Sequence, residues 1–283
     1  MNIIETIKEG LRIARSSKSL WLYGFFVGLG ATFDFSGKSP VPGGGATAHG
    51  VPHAFTAGAA LLVIGSLVLV AVGGFMYFVS EGALIEGVTR ARRGLPPTVR
   101  EGWRDGVAHW GVLLRLTIIY LAISGGSLVL LSAPSLLALQ LSGTALAVVL
   151  AVPAAVIAVP WLVTLYMWQA FACRIAVLEN RRTRDAIAKA RLFLHGRLLH
   201  GLKLIVAAIL GRTLVLATGA LGLVAGALIV FGVLWLLGMA HATVPVIALG
   251  TVGLLPMACI LISISGTTQS SIWTIGYLTQ EGQ

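Results

Sequence analysis

The chain is short of charge, and of negative charge above all. Only 11% of its 283 residues are charged, and ten Asp or Glu stand against twenty Lys or Arg. With 57% hydrophobic residues and a mean hydropathy of +0.93, it could not present a wettable surface as a soluble globule. No acidic residue falls in the middle of a long apolar run. The sequence therefore predicts no buried carboxylate for proton relay or cation coupling, which counts against a proton- or sodium-driven transporter. Cysteine is also scarce: Cys173 lies at an expected membrane boundary and Cys259 inside the last apolar run. Placed at different depths, the two are not expected to form a disulfide. There is no Ser/His/Asp set, no HExxH and no GxxxxGK[ST] loop. His49 and His53 are four apart, but in a Gly/Pro-rich stretch where helical metal-ligand spacing has no helix to sit on. The expectation is a protein that is not an enzyme and carries no cofactor or metal.

What the chain does have is long apolar runs, at about 19–35, 55–80, 111–139, 144–172, 204–238 and 244–268. A bilayer core of roughly 30 Å takes about 20 helical residues. The first run is the weakest and resembles a signal peptide. The bulky residues in the stretch Gly30-Ala31-Thr32-Phe33-Asp34-Phe35 do not suit a cleavage site, so an uncleaved helix is expected.

Eighteen of the twenty Lys and Arg residues cluster in three stretches, leaving only Lys38 and Arg212. The stretches run from Lys8 to Lys18, Arg90 to Arg115 and Arg174 to Lys203. Basic loops stay in the cytoplasm because they are hard to translocate. The intervening connections at 36–54, 139–143 and 238–243 carry one positive charge between them, so they face outward. These observations predict an all-α, polytopic protein of a bacterial cytoplasmic (inner) membrane. It has six transmembrane helices and both termini in the cytoplasm. The net charge of +10 lies beside apolar spans, where anionic headgroups are a nearer partner than nucleic acid.

The three basic stretches also resemble one another. Asn2-Ile3-Ile4-Glu5 and Thr98-Val99-Arg100-Glu101 have capping-box spacing, and Thr183-Arg184-Asp185 opens the third segment. Each then shows an apolar stripe at helical spacing: Ile4, Ile7, Leu11 and Ala14; Val99, Trp103, Val107 (or Trp110) and Leu114; Ile187, Ala190, Leu194 and Leu198. The chain thus reads as a single transmembrane domain, 1–283, of three parallel repeats with units of about 1–94, 95–182 and 183–283. Each unit would be an amphipathic interfacial helix that runs on into a transmembrane hairpin.

Three features of these units carry a resemblance: Ser19-Leu20-Trp21-Leu22, the Gly82-Ala83 exit before Arg92-Arg93-Gly94, and Trp110-Gly111-Val112-Leu113-Leu114. On them the chain resembles a loose group of bacterial six-helix membrane domains. One branch is the membrane domain found N-terminal to some glycerophosphodiester phosphodiesterases. The resemblance implies a six-helix membrane fold over the whole chain. It does not imply the phosphodiesterase activity, which belongs to a separate catalytic domain.

The candidate site is a lipid-facing basic cluster of Arg181, Arg182, Arg184, Lys189, Arg191, Arg197 and Arg212. Arg212 lies in the 37-residue run Leu202 to Gly238, and counting inward from Trp235 places it at the inner interface, where it can snorkel. Trp21, Trp103, Trp110, Trp168 and Trp273 are expected at the inner boundary and Trp235 at the outer, as an aromatic belt. Gly219, Gly222 and Gly226 are expected to serve helix packing. The functional expectation is a scaffold or accessory subunit of a membrane complex, touching anionic lipid on the cytoplasmic side. The alternative is a transporter or channel for a lipid or small apolar solute.

Overall fold

The computed structural model describes residues 3–32, 53–141, 143–236 and 243–281. Asn2, Lys38, His49, Ser142 and most of the 238–243 connection lie outside the described residues. Eight helices follow in order: α1 (Ile3–Ser16), α2 (Ser19–Thr32), α3 (His53–Arg92), α4 (Val99–Leu141), α5 (Thr144–Leu178), α6 (Thr183–Leu194), α7 (Leu198–Leu236) and α8 (Thr243–Glu281). Among the described residues there is no strand. Five helices, α3, α4, α5, α7 and α8, are long and apolar enough to cross a membrane. The chain is a multi-pass integral membrane protein. The expected first crossing, α2, is described over the 14 residues Ser19–Thr32, and the residues that follow it lie outside the described ones.

The end of the bundle that gathers α1, α6, the α3–α4 turn and the C-terminal turns of α5 and α8 is called basal here, and the opposite end distal. Both cores lie in the basal half. One joins Phe171, Ile175, Leu194, Leu204, Trp273 and Tyr277. The other joins Leu20, Tyr23, Leu84, Val88 and Ile275. The helix pairs α2–α3, α4–α5 and α7–α8 pack along one another, and α2 packs against α8 across the sequence. That last contact is backbone on backbone. A methyl group on Gly24 would overlap the Ser263 carbonyl, and one on Gly266 would overlap the Gly24 carbonyl. The Thr267 hydroxyl, buried at this seam, donates to the Ser263 carbonyl of its own helix at 2.8 Å and shares that proton with the Leu20 carbonyl at 3.3 Å.

The amphipathic segments depart from expectation in how they join their spans, and they differ from one another in which face meets the bundle. Only the second runs on into its span. There the Thr98 hydroxyl accepts from the Glu101 N–H at 3.4 Å and donates to the Glu101 carboxylate at 2.8 Å, and α4 continues without a break to Leu141. Its Gly102 and Gly106 stay helical because they form the contact face toward Tyr23 and Val79. In the first segment the helix ends at Ser16, and in the third Gly196 turns the chain at φ +79, a conformation that suits glycine.

α1 buries Thr6, Gly10, Ile13 and Ala14, while Ile4 is 61% exposed. The helix is rotated from the expected stripe because Gly10, not a larger residue, sits against Ile272 of α8. On α4 the expected stripe Val99, Trp103, Val107 and Trp110 points outward. On α6 Ala190 and Leu194 are buried against the bundle, while Leu198, the last residue of its expected stripe, is 50% exposed.

Candidate functional site

The structure brings six of the seven predicted cationic residues to the basal surface. Arg181 and Arg182 lie in the turn before α6, Arg184 and Lys189 and Arg191 on α6, and Arg197 in the turn after it. They are not equivalent. Glu179 accepts from the Arg181 Nε at 2.8 Å, from the Tyr277 hydroxyl at 2.6 Å and from the Lys189 ammonium. Arg191 lies over the Trp168 ring at 5.9 Å and Arg197 over Phe193 at 5.8 Å. Arg182 and Arg184 are exposed and point away from the bundle's core. Arg212 stands apart from these six: it is half-buried, fourteen residues up α7, about 21 Å along the helix, and interacts electrostatically with Tyr166 of α5.

Glu179 organises this corner. Burial pulls its carboxyl upward, but hydrogen bonds from Lys189, Tyr277 and Arg181 outweigh that pull and hold it below the ordinary value of 4.5. Four other basal acids are engaged in the same way. Arg90 meets Asp105 at 2.5 Å, Glu101 at 3.0 Å and Glu86 at 3.6 Å, and Arg92 meets Glu9 at 3.3 Å. Five acids are thus bound to a few bases, and Glu5 and Asp185 stay exposed. Lys8, Arg12, Arg15, Lys18, Arg93 and Arg100 remain exposed beside Arg182 and Arg184. The basal face is a cationic surface.

A second constellation was missed by the sequence reading. Between α2, α3, α4, α5 and α8 lies a cavity of about 100 Å³ whose walls mix polar and apolar side chains. Glu81, expected in an exit segment near the interface, faces it from α3 and is hydrogen-bonded to Tyr77 one turn earlier. Arg174, counted among the basic residues of a cytoplasmic segment, faces it from α5 and is only 3% exposed. The expectation that no carboxylate faces the bundle interior is corrected here: helical continuity carries both residues inward. Ala170 and Val177 lie one turn either side of Arg174 on the buried face of α5. Trp273, expected in the aromatic belt, is also in this wall at 2% exposure, with its ring under the Arg174 guanidinium at 5.6 Å. A signal was present in the sequence. Tyr77 and Glu81 are four apart, as are Gln169 and Cys173, and both pairs line the cavity.

The glycines of α7 behave as expected: Gly219 and Gly222 receive Leu261 and Met257 of α8. Among the described residues, no group of three or more His, Cys, Asp or Glu is arranged to hold a metal ion. No protein-family model, curated protein or solved structure matches the chain.

Proposed function

We propose that the chain is a non-enzymatic scaffold or accessory subunit of a bacterial cytoplasmic-membrane complex. Its basal face lies against anionic headgroups on the cytoplasmic side. The observation that carries this reading is the asymmetry of pairing at that face. Glu9, Glu86, Glu101, Asp105 and Glu179 are taken up by Arg90, Arg92, Arg181, Lys189 and Tyr277, while the exposed Lys8, Arg12, Arg15, Lys18, Arg93, Arg100, Arg182 and Arg184 far outnumber the exposed Glu5 and Asp185. Juxtamembrane cations attract anionic lipid by about 1 kcal/mol each near the surface. In this reading α2 is the sixth crossing, the three helix pairs are tandem units, and both termini are cytoplasmic. The likeness to six-helix bacterial membrane domains belongs to the same proposal and rests on the residues quoted for it above. A transporter of a lipid gains no support from a cavity of only about 100 Å³.

The direct test is topology and partner capture. Cysteine probes at Gly44, Ser142 and Ala242 should label from outside sealed cells, and probes at Gly94 and Asn180 should not. External labelling at Gly94 would overturn the orientation. Stoichiometric recovery of a partner from native membranes supports the scaffold reading. Specific flux by the purified protein alone in proteoliposomes would sink it.

A further inference from the structure

The cavity between α3, α5 and α8 poses a charge problem that the chain does not solve by itself. Arg174 is almost wholly buried, and its Nη1 donates to the Ala170 carbonyl at 2.5 Å on its own helix. Its Nε has no hydrogen-bond partner. Two further wall groups are in the same condition: the Trp273 indole N–H and the Ser270 hydroxyl, both on α8. These are donors, gathered where Arg174 supplies positive charge. The opposite character faces the same space. Glu81 brings a carboxylate, and Gln269, which hydrogen-bonds Tyr166, leaves its Oε1 without a partner. Among the described residues, Arg174 and Glu81 do not come within the 4.0 Å of an ion pair.

A cavity that separates one buried cation from one carboxylate, each flanked by an unpartnered group of matching character, suits a ligand that carries both charges. A lone anion would meet Glu81, and a lone cation would meet Arg174. In a low-dielectric interior either mismatch costs more than in water. Size narrows the choice further. A cavity of 150 Å³ accommodates benzene, so about 100 Å³ holds roughly four to five non-hydrogen atoms.

We propose that this cavity is a binding site for a small zwitterion of the α-amino acid class, of glycine size. The carboxylate lies toward the Arg174 Nε and the Trp273 indole N–H. The ammonium lies toward Glu81 and the Gln269 Oε1. The Ser270 hydroxyl closes the wall beside them. The site is independent of the basal cationic surface and of any partner docked there.

The test uses the full chain, purified into nanodiscs, with radiolabelled glycine as the probe. Saturable binding is expected, with competition by unlabelled glycine but not by acetate or methylammonium at the same concentration. Arg174→Gln and Glu81→Gln should each weaken binding at least tenfold. Because removing either charge can disturb folding, Ser270→Val is the second variant. It keeps both charges, fills part of the cavity, and should abolish binding while leaving the elution profile and thermal unfolding unchanged. Absence of saturable glycine binding into the millimolar range would overturn the proposal. So would equal competition by acetate, or unchanged binding in a well-folded Ser270→Val protein.

Discussion

Along α5 the surroundings change midway. Val148, Val149, Val152 and Val156 are 61–68% exposed, whereas Phe171, Ala172, Ile175 and Ala176 are buried. On α3 the change runs the same way, from exposed Leu67, Leu69 and Val70 to buried Ala83, Leu84 and Ile85. In four of the five long helices only 11% of the most apolar window is buried. The distal halves are therefore the most hydrophobic and the least packed. In water that would be a contradiction; in a bilayer, lipid tails are as apolar as leucine and no hydrophobic force draws such helices together. The basal halves associate by other means. Glycine faces let backbones touch, hydroxyls donate to carbonyls, and charged groups are paired. The difference teaches that apolarity marks where this chain meets lipid, and that small and polar residues mark where it meets itself.

The sharpest way to break that comparison is to place the same side chain in both halves. Gly24→Leu or Gly266→Leu would force backbones apart at the α2–α8 seam, at a cost of at least about 1–3 kcal/mol. Gly65→Leu or Gly73→Leu meets nothing within 4 Å and should stay within about 0.5 kcal/mol of the parent. Thermal unfolding in mild detergent reads both, and equal losses in the two halves would refute the distinction.

The next effect in size is Glu179→Gln, which weakens the contacts from Lys189, Arg181 and Tyr277 and should destabilise by about 1–3 kcal/mol. It also has a pH signature. Because the folded carboxyl sits below its ordinary 4.5, its contribution is present above that value and is lost as pH falls through the lower folded value. The parent should thus lose stability on acidification below pH 4.5 more steeply than Glu179→Gln. Parallel curves would show that Glu179 does not organise this corner.

The smallest expected effect separates lipid contact from structure. The double change Arg182→Gln, Arg184→Gln should lower bound anionic lipid, measured by mass spectrometry of the purified protein. Stability should shift by no more than about 0.5 kcal/mol, since both side chains are exposed. Arg181→Gln should do the reverse, because its guanidinium is held by Glu179.

Much of the fold is legible in the amino-acid sequence. Apolar runs place the long helices, the Thr98–Glu101 box marks the start of α4, and the basic segments do converge on one end. What escapes it is the direction in which a residue near a helix end points. Arg174 and Glu81 sit in segments dense with small residues, and their charge suggests an interface. Yet α5 and α3 stay helical past them and turn them toward α8. The same blindness affects Trp273 and Ile4: residue type suggests one set of surroundings, and helical phase set by Gly10 and by the packing of α8 produces another.

The α2–α8 seam bears on how the protein is made. Leu20 and Thr267, which hydrogen-bond across it, are 247 residues apart. A ribosome adding about 5–20 residues per second needs on the order of 10–50 seconds to synthesise that interval. Through that delay α2 has its glycine face open to lipid or to an insertion chaperone. A nascent chain arrested before α8 should leave that face accessible, and release of the full length should close it.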